Sequence, residues 1–402
     1  MKTKLITDET DLAAELIARG ELVAVPTETV YGLAGSGLCA EAVEKIYEVK
    51  GRPQIKPLSL MVSDSSAMEL YCDDVPDGAK LLADKFWPGP LTVVLKSKSI
   101  VPDIVRAGGS TVGLRCPDHE KTLALLRTVK LPLAAPSANP SGEPSPKNAQ
   151  TVMDYFDGEI SAVIDGGECI LGTESTIIDM SKTPYAILRH GALSEDEIKN
   201  ALVCGLKMIG ITGGSGAGKT TALNELKSLG ALVIDCDALY HEMLNCDEKL
   251  GADIKESFPD VFTNGEPDRR KLGKTVFNDA AALKRLNEIT HGHIIRRVEE
   301  LLRDHALNGG TMAAIDAVEL IESGLGAKCG ILIAVTADAK KRVERITARD
   351  GVSEEYAMMR IKAQKPDSYY AENCDIVLEN NGTDAEFADK CKNLFKEVLI
   401  NG

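Results

Sequence analysis

The sequence predicts a chain of two α/β domains. Three observations carry this prediction. A length of 402 residues is too great for one ordinary core and comfortable for two. Short apolar runs alternate with amphipathic helical stretches in both halves, the pattern of sheets covered by helices. Finally, Gly213-Gly214-Ser215-Gly216-Ala217-Gly218-Lys219-Thr220 fits the phosphate-binding pattern G-x-x-x-x-G-K-[ST] at every position, yet begins past the midpoint of the chain. Such a loop joins the first strand of its domain to the first helix, so the residues before it must form a domain of their own.

Composition bounds the function. Hydrophobic residues make up 44% and charged residues 27%, as in ordinary globular protein. A formal net charge of −15 argues against a broad electrostatic grip on nucleic acid. It leaves room for small anionic substrates, which a few local cations and backbone amides can hold. The ten cysteines are scattered and form no C-x-x-C pair. Cys39, Cys72, Cys116 and Cys169 fall in or beside apolar segments, where reduced core thiols are the expectation. The first residues carry Asp8, Glu9 and Asp11 and no apolar signal region, and no apolar run reaches the length of a membrane span. The expected location is the cytoplasm.

Along the chain, 8–19 has helical spacing ending at Gly20, and 22–25 reads as a strand stopped by Pro26. Residues 40–49 read as a helix closed by Gly51 and Pro53. Residues 91–95, 111–115 and 131–135 read as strands, the last running into Pro136-Ser137-Ala138-Asn139-Pro140-Ser141-Gly142. Residues 195–202 read as a last helix, which places the domain joint near Cys204-Gly205 and the domains at 1–203 and 204–402. The second half restarts with an apolar strand over 207–212, the loop, a helix over 221–229 and a strand over 231–234. Strands over 312–315, 330–335 and 375–378 then alternate with helices, including 282–307 and 339–348. This order predicts a parallel sheet covered on both faces.

The loop glycines let backbone amides turn inward around phosphate at a helix N-terminus. Gly213 to Thr220, with Thr221 following, are therefore the candidate nucleotide contacts. Lys219 would reach the β- and γ-phosphates, and the Thr220 hydroxyl would ligate magnesium. Asp237 sits just past the second strand, at the carboxyl edge where such sheets bind ligands. A carboxylate there can take the proton of an acceptor hydroxyl, and it can equally be the N-cap of the helix containing Leu239 and Met243.

Residues 207–400 resemble dephospho-CoA kinase. The resemblance is carried by Ile209 to Gly214, Ile234-Asp235-Cys236-Asp237, Asp268-Arg269 with Leu272 and Val276-Phe277, and Leu286-Asn287-Glu288-Ile289-Thr290-His291. Residues 345–351 resemble the family's lid, and Arg360-Ile361-Lys362-Ala363-Gln364 its arginine-to-glutamine segment. It implies a P-loop NTPase domain of the nucleoside-monophosphate-kinase type with a lid. It also implies transfer of the ATP γ-phosphate to the ribose 3′-hydroxyl of dephospho-CoA. On this basis Asp237 is the base, Arg269 an acceptor contact, and Arg345 or Arg349 a lid cation over the phosphates. Two departures bear on the acceptor pocket: Asp316-Ala317-Val318-Glu319-Leu320 replaces a Pro-Leu-Leu run after the third strand's Asp, and His291-Gly292 replaces His-Pro. A hydrogen-bonded structural role is the expectation for His291.

In the first half, Lys50, Arg52 and Lys56 lie along a proline-stiffened loop, where they face either solvent or an anion. Thr111 and Arg115 share a strand; Ser137, Asn139, Ser141 and Ser145 follow another; Ser175 and Arg189 come later. Hydroxyls and arginines past strand ends suit a triphosphate pocket built without a P-loop. Residues 1 to about 195 resemble the YrdC-type threonylcarbamoyl-AMP synthase domain, a twisted mixed-sheet α/β fold. The matching segments are 26–33, 50–53, 87–92, 111–117, 135–142, 172–176 and 188–191. The resemblance implies that a carbamate of bicarbonate and L-threonine attacks the ATP α-phosphate and releases pyrophosphate. The product feeds an adenosine modification in certain tRNAs, and so a downstream tRNA-modifying transferase complex. Arg52, Lys56, Ser137, Ser145 and Arg189 would bind ATP. Thr29, Thr111, Arg115 and Ser175 would line the threonine side, with Lys50 and Asn139 as further substrate contacts. Met61 stands where many members have a histidine after Pro-Leu-x-Val.

The expectation is a bifunctional enzyme that uses ATP and Mg2+ at two independent sites. Other readings stay open on the sequence. The N-terminal half could be an RNA-binding or regulatory module, although acidity and an aromatic content of only 4% count against strong tRNA binding. The kinase could act on another small hydroxyl acceptor, such as a nucleoside or nucleotide.

Overall fold

The computed structural model describes residues 2–263, 266–277, 279–317 and 319–401. The chain divides between Gly205 and Leu206 into two compact units, with Leu307–Gly309 grouped with the first. The first is a mixed-sheet α/β unit and the second a parallel-sheet α/β unit.

In the first unit an eleven-stranded sheet runs Lys4–Ile6, Ala162–Ile164, Val23–Val25, Gly32–Ser36, Leu133–Ala134, Ser59–Met61, Thr111–Arg115, Leu91–Ser97, Thr176–Asp179, Ala186–Arg189, with Cys72–Asp73 paired beside Leu91–Ser97. Val23–Val25, Gly32–Ser36 and Ala162–Ile164 are buried along their whole length, as suits strands covered on both faces. The strand expected over 131–135 shrinks to Leu133–Ala134. Pro132 and Pro136 flank it, and neither can donate to a ladder. Gly32–Ser36, legible in the sequence only as part of a motif, is a strand antiparallel to Val23–Val25. The segment from Pro26 to Tyr31 is thus the connection of a hairpin, and it holds Glu28 and Thr29 in the interior. The helix Ala40–Lys50 stops at Gly51, whose φ of 56° is left-handed, and so delivers Lys50 and Arg52 to one loop. A capping box between Ser194 and Glu197 opens the helix Glu195–Cys204.

The second unit has five parallel strands in the order Leu232–Asp235, Met312–Asp316, Lys207–Thr212, Ile331–Thr336, Ile376–Glu379. Parallel strands need crossover connections, and those leaving Lys207–Thr212, Leu232–Asp235 and Ile331–Thr336 run through α-helices. Register sets Asp316 opposite both Ile211 and Asp235. The carboxyl edge therefore gathers the phosphate loop, Asp235 and Asp316. Ile209, Ile211, Ala314, Ile333 and Val335 pack with Leu226, Phe387 and Phe395 in one core. The helix Ala339–Asp350 ends at Gly351 (φ 66°), and Ser353 caps the next helix, Glu354–Lys362. Val343, Ile346 and Ala357 pack the two into a helical hairpin in the lid region.

Phe395 is fully buried in the second core. Phe395→Ala is expected to destabilise this unit by about 3–5 kcal/mol through lost burial and the cavity left behind. Urea unfolding followed by far-UV circular dichroism measures it.

Candidate active sites

A cavity of about 290 Å3 opens in the first unit, lined by Arg52, Arg115 and Arg189 with Thr92, Thr111, Ser137, Glu174 and Ser175. Leu58, Met61, Val94 and Ile177 form apolar wall. Arg115 ends its strand almost entirely buried, where an uncompensated guanidinium would be costly. The hairpin connection supplies the compensation. Glu28 pairs with Arg115 at 2.8 Å, and Arg115 Nη2 donates to Thr29 Oγ1 at 2.8 Å. Its Nε donates to the Gly89 carbonyl at 3.3 Å.

Also in the lining, Arg189 Nε donates to the Ser175 carbonyl and Nη2 to Ser175 Oγ, each at 3.0 Å. Ser175 Oγ also shares a 2.8 Å hydrogen bond with Thr92 Oγ1. Desolvation lowers the pKa of Arg189; Glu174 offsets this, and Arg115 and Arg52 add to the lowering. Ser145 Oγ donates to Glu174 Oε1 at 2.8 Å, which orients that carboxylate at the cavity wall. Arg52 donates to the carbonyls of Lys56 and Pro57.

Of the residues expected here, Arg52, Thr111, Arg115, Ser137, Ser175 and Arg189 line the cavity. Thr29 and Ser145 stand one hydrogen bond behind it. Lys50 and Asn139 are placed differently. The Lys50 ammonium donates to the carbonyls of Ser137 and Asn139, and the side chain is buried. Burial, with some repulsion from Arg52, brings its pKa down to about 7. Asn139 Nδ2 donates to the Glu143 carbonyl at 2.6 Å, inside its own turn. Lys56 is exposed, its carbonyl oxygen accepting from Tyr47 Oη at 2.9 Å. Glu174 and Thr92 are cavity residues that carried no assigned role in the sequence. Their segments, 172–176 and 87–92, were visible, but which side chain faces inward is set by the sheet.

In the second unit Gly213 (φ 136°), Gly216 (φ 76°) and Gly218 (φ 109°) adopt the backbone that lets the loop curl before the helix Lys219–Ser228. Lys219 Nζ donates to the Gly213 carbonyl at 3.0 Å, and Thr220 is exposed at the first turn. The cap question at Asp237 has a clear answer. Asp235 Oδ1 accepts from the amides of Asp237 and Ala238, both at 3.0 Å, so Asp235 is the N-cap. The Asp237 carboxylate therefore lines a second cavity, of about 340 Å3. Desolvation, then Asp235, raises its pKa, while Lys219 and His241 oppose the rise. Asp316 is buried more deeply; desolvation pushes it up to about 7, with Asp235 and Asp237 adding and Lys219 opposing. Its Oδ1 has no hydrogen-bond partner among the described residues.

The second cavity also holds Asn287, His291 and Glu319, with Leu286, Ile294, Ile295 and Leu325 as apolar wall. His291 Nε2 lies 3.3 Å from Glu319, and Asn287 Nδ2 donates to the same carboxylate at 3.3 Å. Both departures from the family pattern, at Glu319 and at Gly292 beside His291, thus fall at this wall. Arg345 donates to the carbonyls of Gly216 and Ala217 and to Asn380. Arg349 pairs with its neighbour Asp350 on the exposed end of the same helix. Arg269 opens the helix Arg269–Phe277, and its side chain lies outside the described residues. Val318 lies outside them as well.

Fold and sites together define a tandem protein: an arginine-lined pocket on a mixed sheet, followed by a P-loop unit. A family model described as telomere recombination (Sua5, YciO and YrdC) matches residues 15–191, and the dephospho-CoA kinase model matches 207–386. A threonylcarbamoyl-AMP synthase of Pyrococcus abyssi is 45% identical over 191 residues, which cover 48% of this chain and 56% of that protein. A candidate threonylcarbamoyl-AMP synthase of Methanocaldococcus jannaschii is 38% identical over 182 residues, covering 44% of this chain and 83% of that one. A dephospho-CoA kinase of Thermobifida fusca is 35% identical over 192 residues, covering 47% and 95%. The chain spans little more than half, 56%, of the length of the Pyrococcus relative. It belongs to the threonylcarbamoyl-AMP synthase family through its first half and to the dephospho-CoA kinase family through its second.

Lys50 carries a pH signature. Its pKa falls from 10.5 to about 7 on folding, so above pH 7 the unfolded chain binds the extra proton. Stability from this group therefore rises with pH above about 7 and is lost as pH falls back through that value. Lys50→Met is expected to remove that part of the slope, read as the difference in melting temperature between the two proteins from pH 7 to pH 9.

Proposed function

We propose that the chain is a bifunctional, cytoplasmic enzyme with one active site in each unit, the domains being residues 1–203 and 204–402. The first makes threonylcarbamoyl-AMP and pyrophosphate from L-threonine, bicarbonate and ATP. The second transfers the ATP γ-phosphate to the 3′-hydroxyl of dephospho-CoA, giving coenzyme A and ADP. The observation that carries the reading is the division of labour between Asp235 and Asp237: one carboxylate caps the helix and the next faces the acceptor cavity beside the phosphate loop.

In the first site, Arg115 suits the threonine carboxylate, because its permanently charged guanidinium lines the cavity and is held in place by Glu28, Thr29 and Gly89. Arg52 and Arg189 suit the phosphates, with Lys56, Ser137 and Ser145 as further ATP contacts. Thr29, Thr111 and Ser175 complete the threonine side, and Lys50 with Asn139 serves through the turn they brace. A carbamate oxygen attacks the α-phosphorus; the bond to the β,γ-pyrophosphate breaks, and pyrophosphate leaves with its electron pair. The product would pass to a tRNA-modifying transferase, while the acidic balance of the chain speaks against strong tRNA binding here.

In the second site, amides of 213–221, that of Ser215 excepted, and Lys219 suit the ATP phosphates. Arg345 or Arg349 would approach from the lid, and Arg269 from the acceptor side. The acceptor hydroxyl gives its proton to Asp237 as its oxygen bonds the γ-phosphorus, and the bond to the β,γ-bridging oxygen breaks. The donor set suits Mg2+: the exposed Thr220 hydroxyl could ligate it directly, and the orphaned Asp316 oxygen could hold its waters. Bound there, the ion would neutralise charge on the phosphates.

Wild type, Lys219→Ala and Arg52→Ala separate the two reactions. Lys219→Ala is expected to lower dephospho-CoA-dependent ADP formation by about 100-fold or more and leave threonine- and bicarbonate-dependent pyrophosphate release intact. Arg52→Ala should do the reverse. Wild-type protein whose ADP formation ignores dephospho-CoA would sink the kinase reading; pyrophosphate release indifferent to threonine would sink the other.

A further inference from the structure

The phosphate-binding pattern requires glycine at 213 and 218, yet this loop has glycine at 214 and 216 as well. The structure supplies a reason for both extra glycines, and it is one residue. A Cβ on Gly214 would lie 2.1 Å from Arg342 Nη2 and 3.0 Å from Gln364 Oε1. A Cβ on Gly216 would lie 2.7 Å from the Arg342 carbonyl oxygen, at a φ of 76°. Arg342, 5% exposed, is pressed against the loop from the helix Ala339–Asp350.

Between those glycines stands Ser215, and Arg342 and Gln364 engage every polar group it has. Arg342 Nε donates to the Ser215 carbonyl at 3.0 Å. The Ser215 amide donates to Gln364 Oε1 at 2.9 Å, and Gln364 Nε2 donates to Ser215 Oγ at 2.7 Å. Arg342 Nη2 closes the set by donating to Gln364 Oε1 at 2.8 Å. Gln364 follows the helix Glu354–Lys362, the second arm of the helical hairpin, and Asp367 lies 3.7 Å from Arg342 Nη1.

We propose that Arg342 and Gln364 are positioning residues for the nucleotide at this loop, holding the Ser215 peptide in one orientation and tying it to the helical hairpin. The inference rests on reading the loop as the kinase's ATP site. Gln364 is suited to the task because its carboxamide accepts from an amide and donates to a hydroxyl at once, which neither glutamate nor leucine can do. With the Ser215 amide committed to Gln364, the turn that presents the following amides to phosphate is set before nucleotide arrives. Removing the carboxamide leaves a polar peptide group without its partner and lets the loop sample other turns. Neither side chain touches the transferred phosphoryl group in this account, so the effect falls on nucleotide binding.

Initial rates of dephospho-CoA-dependent ADP formation test this. Gln364→Leu is expected to raise the KM for ATP by about tenfold, with the KM for dephospho-CoA unchanged and kcat reduced by less. Ser215→Ala, which removes only the hydroxyl, should give a smaller rise in the same direction. Adding it to Gln364→Leu should cost almost nothing more, because both changes break the same contact. A KM for ATP within twofold of wild type in Gln364→Leu overturns the proposal, as do additive effects in the double variant. Should wild type fail to use dephospho-CoA, the acceptor assignment falls and the latch is read by ADP titration calorimetry. The binding component that Lys219→Ala abolishes identifies the loop, and Gln364→Leu must weaken that same component.

Discussion

On the function proposed, everything at the two sites follows from the need to hold small anions, phosphate above all, inside a protein of net charge −15. Long-range attraction cannot do this, so donors must be gathered locally, and each buried cation needs its own compensation. The first unit does it with guanidinium groups. Arg115 is tolerable in the interior because Glu28 and Thr29 meet it from the hairpin connection, and Arg189 because Ser175 receives it. The second unit does it mainly with backbone amides at a helix start, which carry partial charge at no desolvation cost of an ion. Two of its arginines meet the backbone of that loop. Arg342 and Arg345 donate to carbonyl groups of the loop and so shape it.

The carboxylates are arranged by the same logic. Parallel strands place their carboxyl ends on one edge, and register brings Asp235 and Asp316 side by side there. Desolvation, with Asp235 and Asp237 adding to it, makes the enclosed Asp316 carboxyl resist ionisation. Lys219 opposes the rise at Asp316 and at Asp237, joined at the latter by His241. The three carboxylates nevertheless have separate fates: Asp235 is spent on two amides, Asp316 is enclosed, and Asp237 faces the cavity.

Much of the site was legible because its chemistry is local. The phosphate loop needs a contiguous run of residues, so eight consecutive letters revealed it. Arg115, Ser137 and Arg189 could be read because polar groups at or past strand ends face a ligand edge, and Arg52 and Ser175 because each sits in a motif beside them, the one after a helix and the other before a strand. Other roles were illegible for the opposite reason. Lys50 looked like a ligand-facing cation, but the turn it braces is 87 residues away in sequence. Glu174 and Glu28 gained their places from partners 29 and 87 residues distant, Ser145 and Arg115. Nothing in a one-dimensional pattern marks such a pairing.

The sequence by itself therefore determined two α/β folds in one chain, the phosphate loop and the shortlist of donors. Those features depend on periodicity and on neighbours along the chain. Only the tertiary structure decided which arginines face a cavity and which grip a backbone, and why Gly214 and Gly216 are glycines at all. Each of those outcomes is a contest for a hydrogen bond or for space between segments far apart in sequence, and it is settled only when the segments meet.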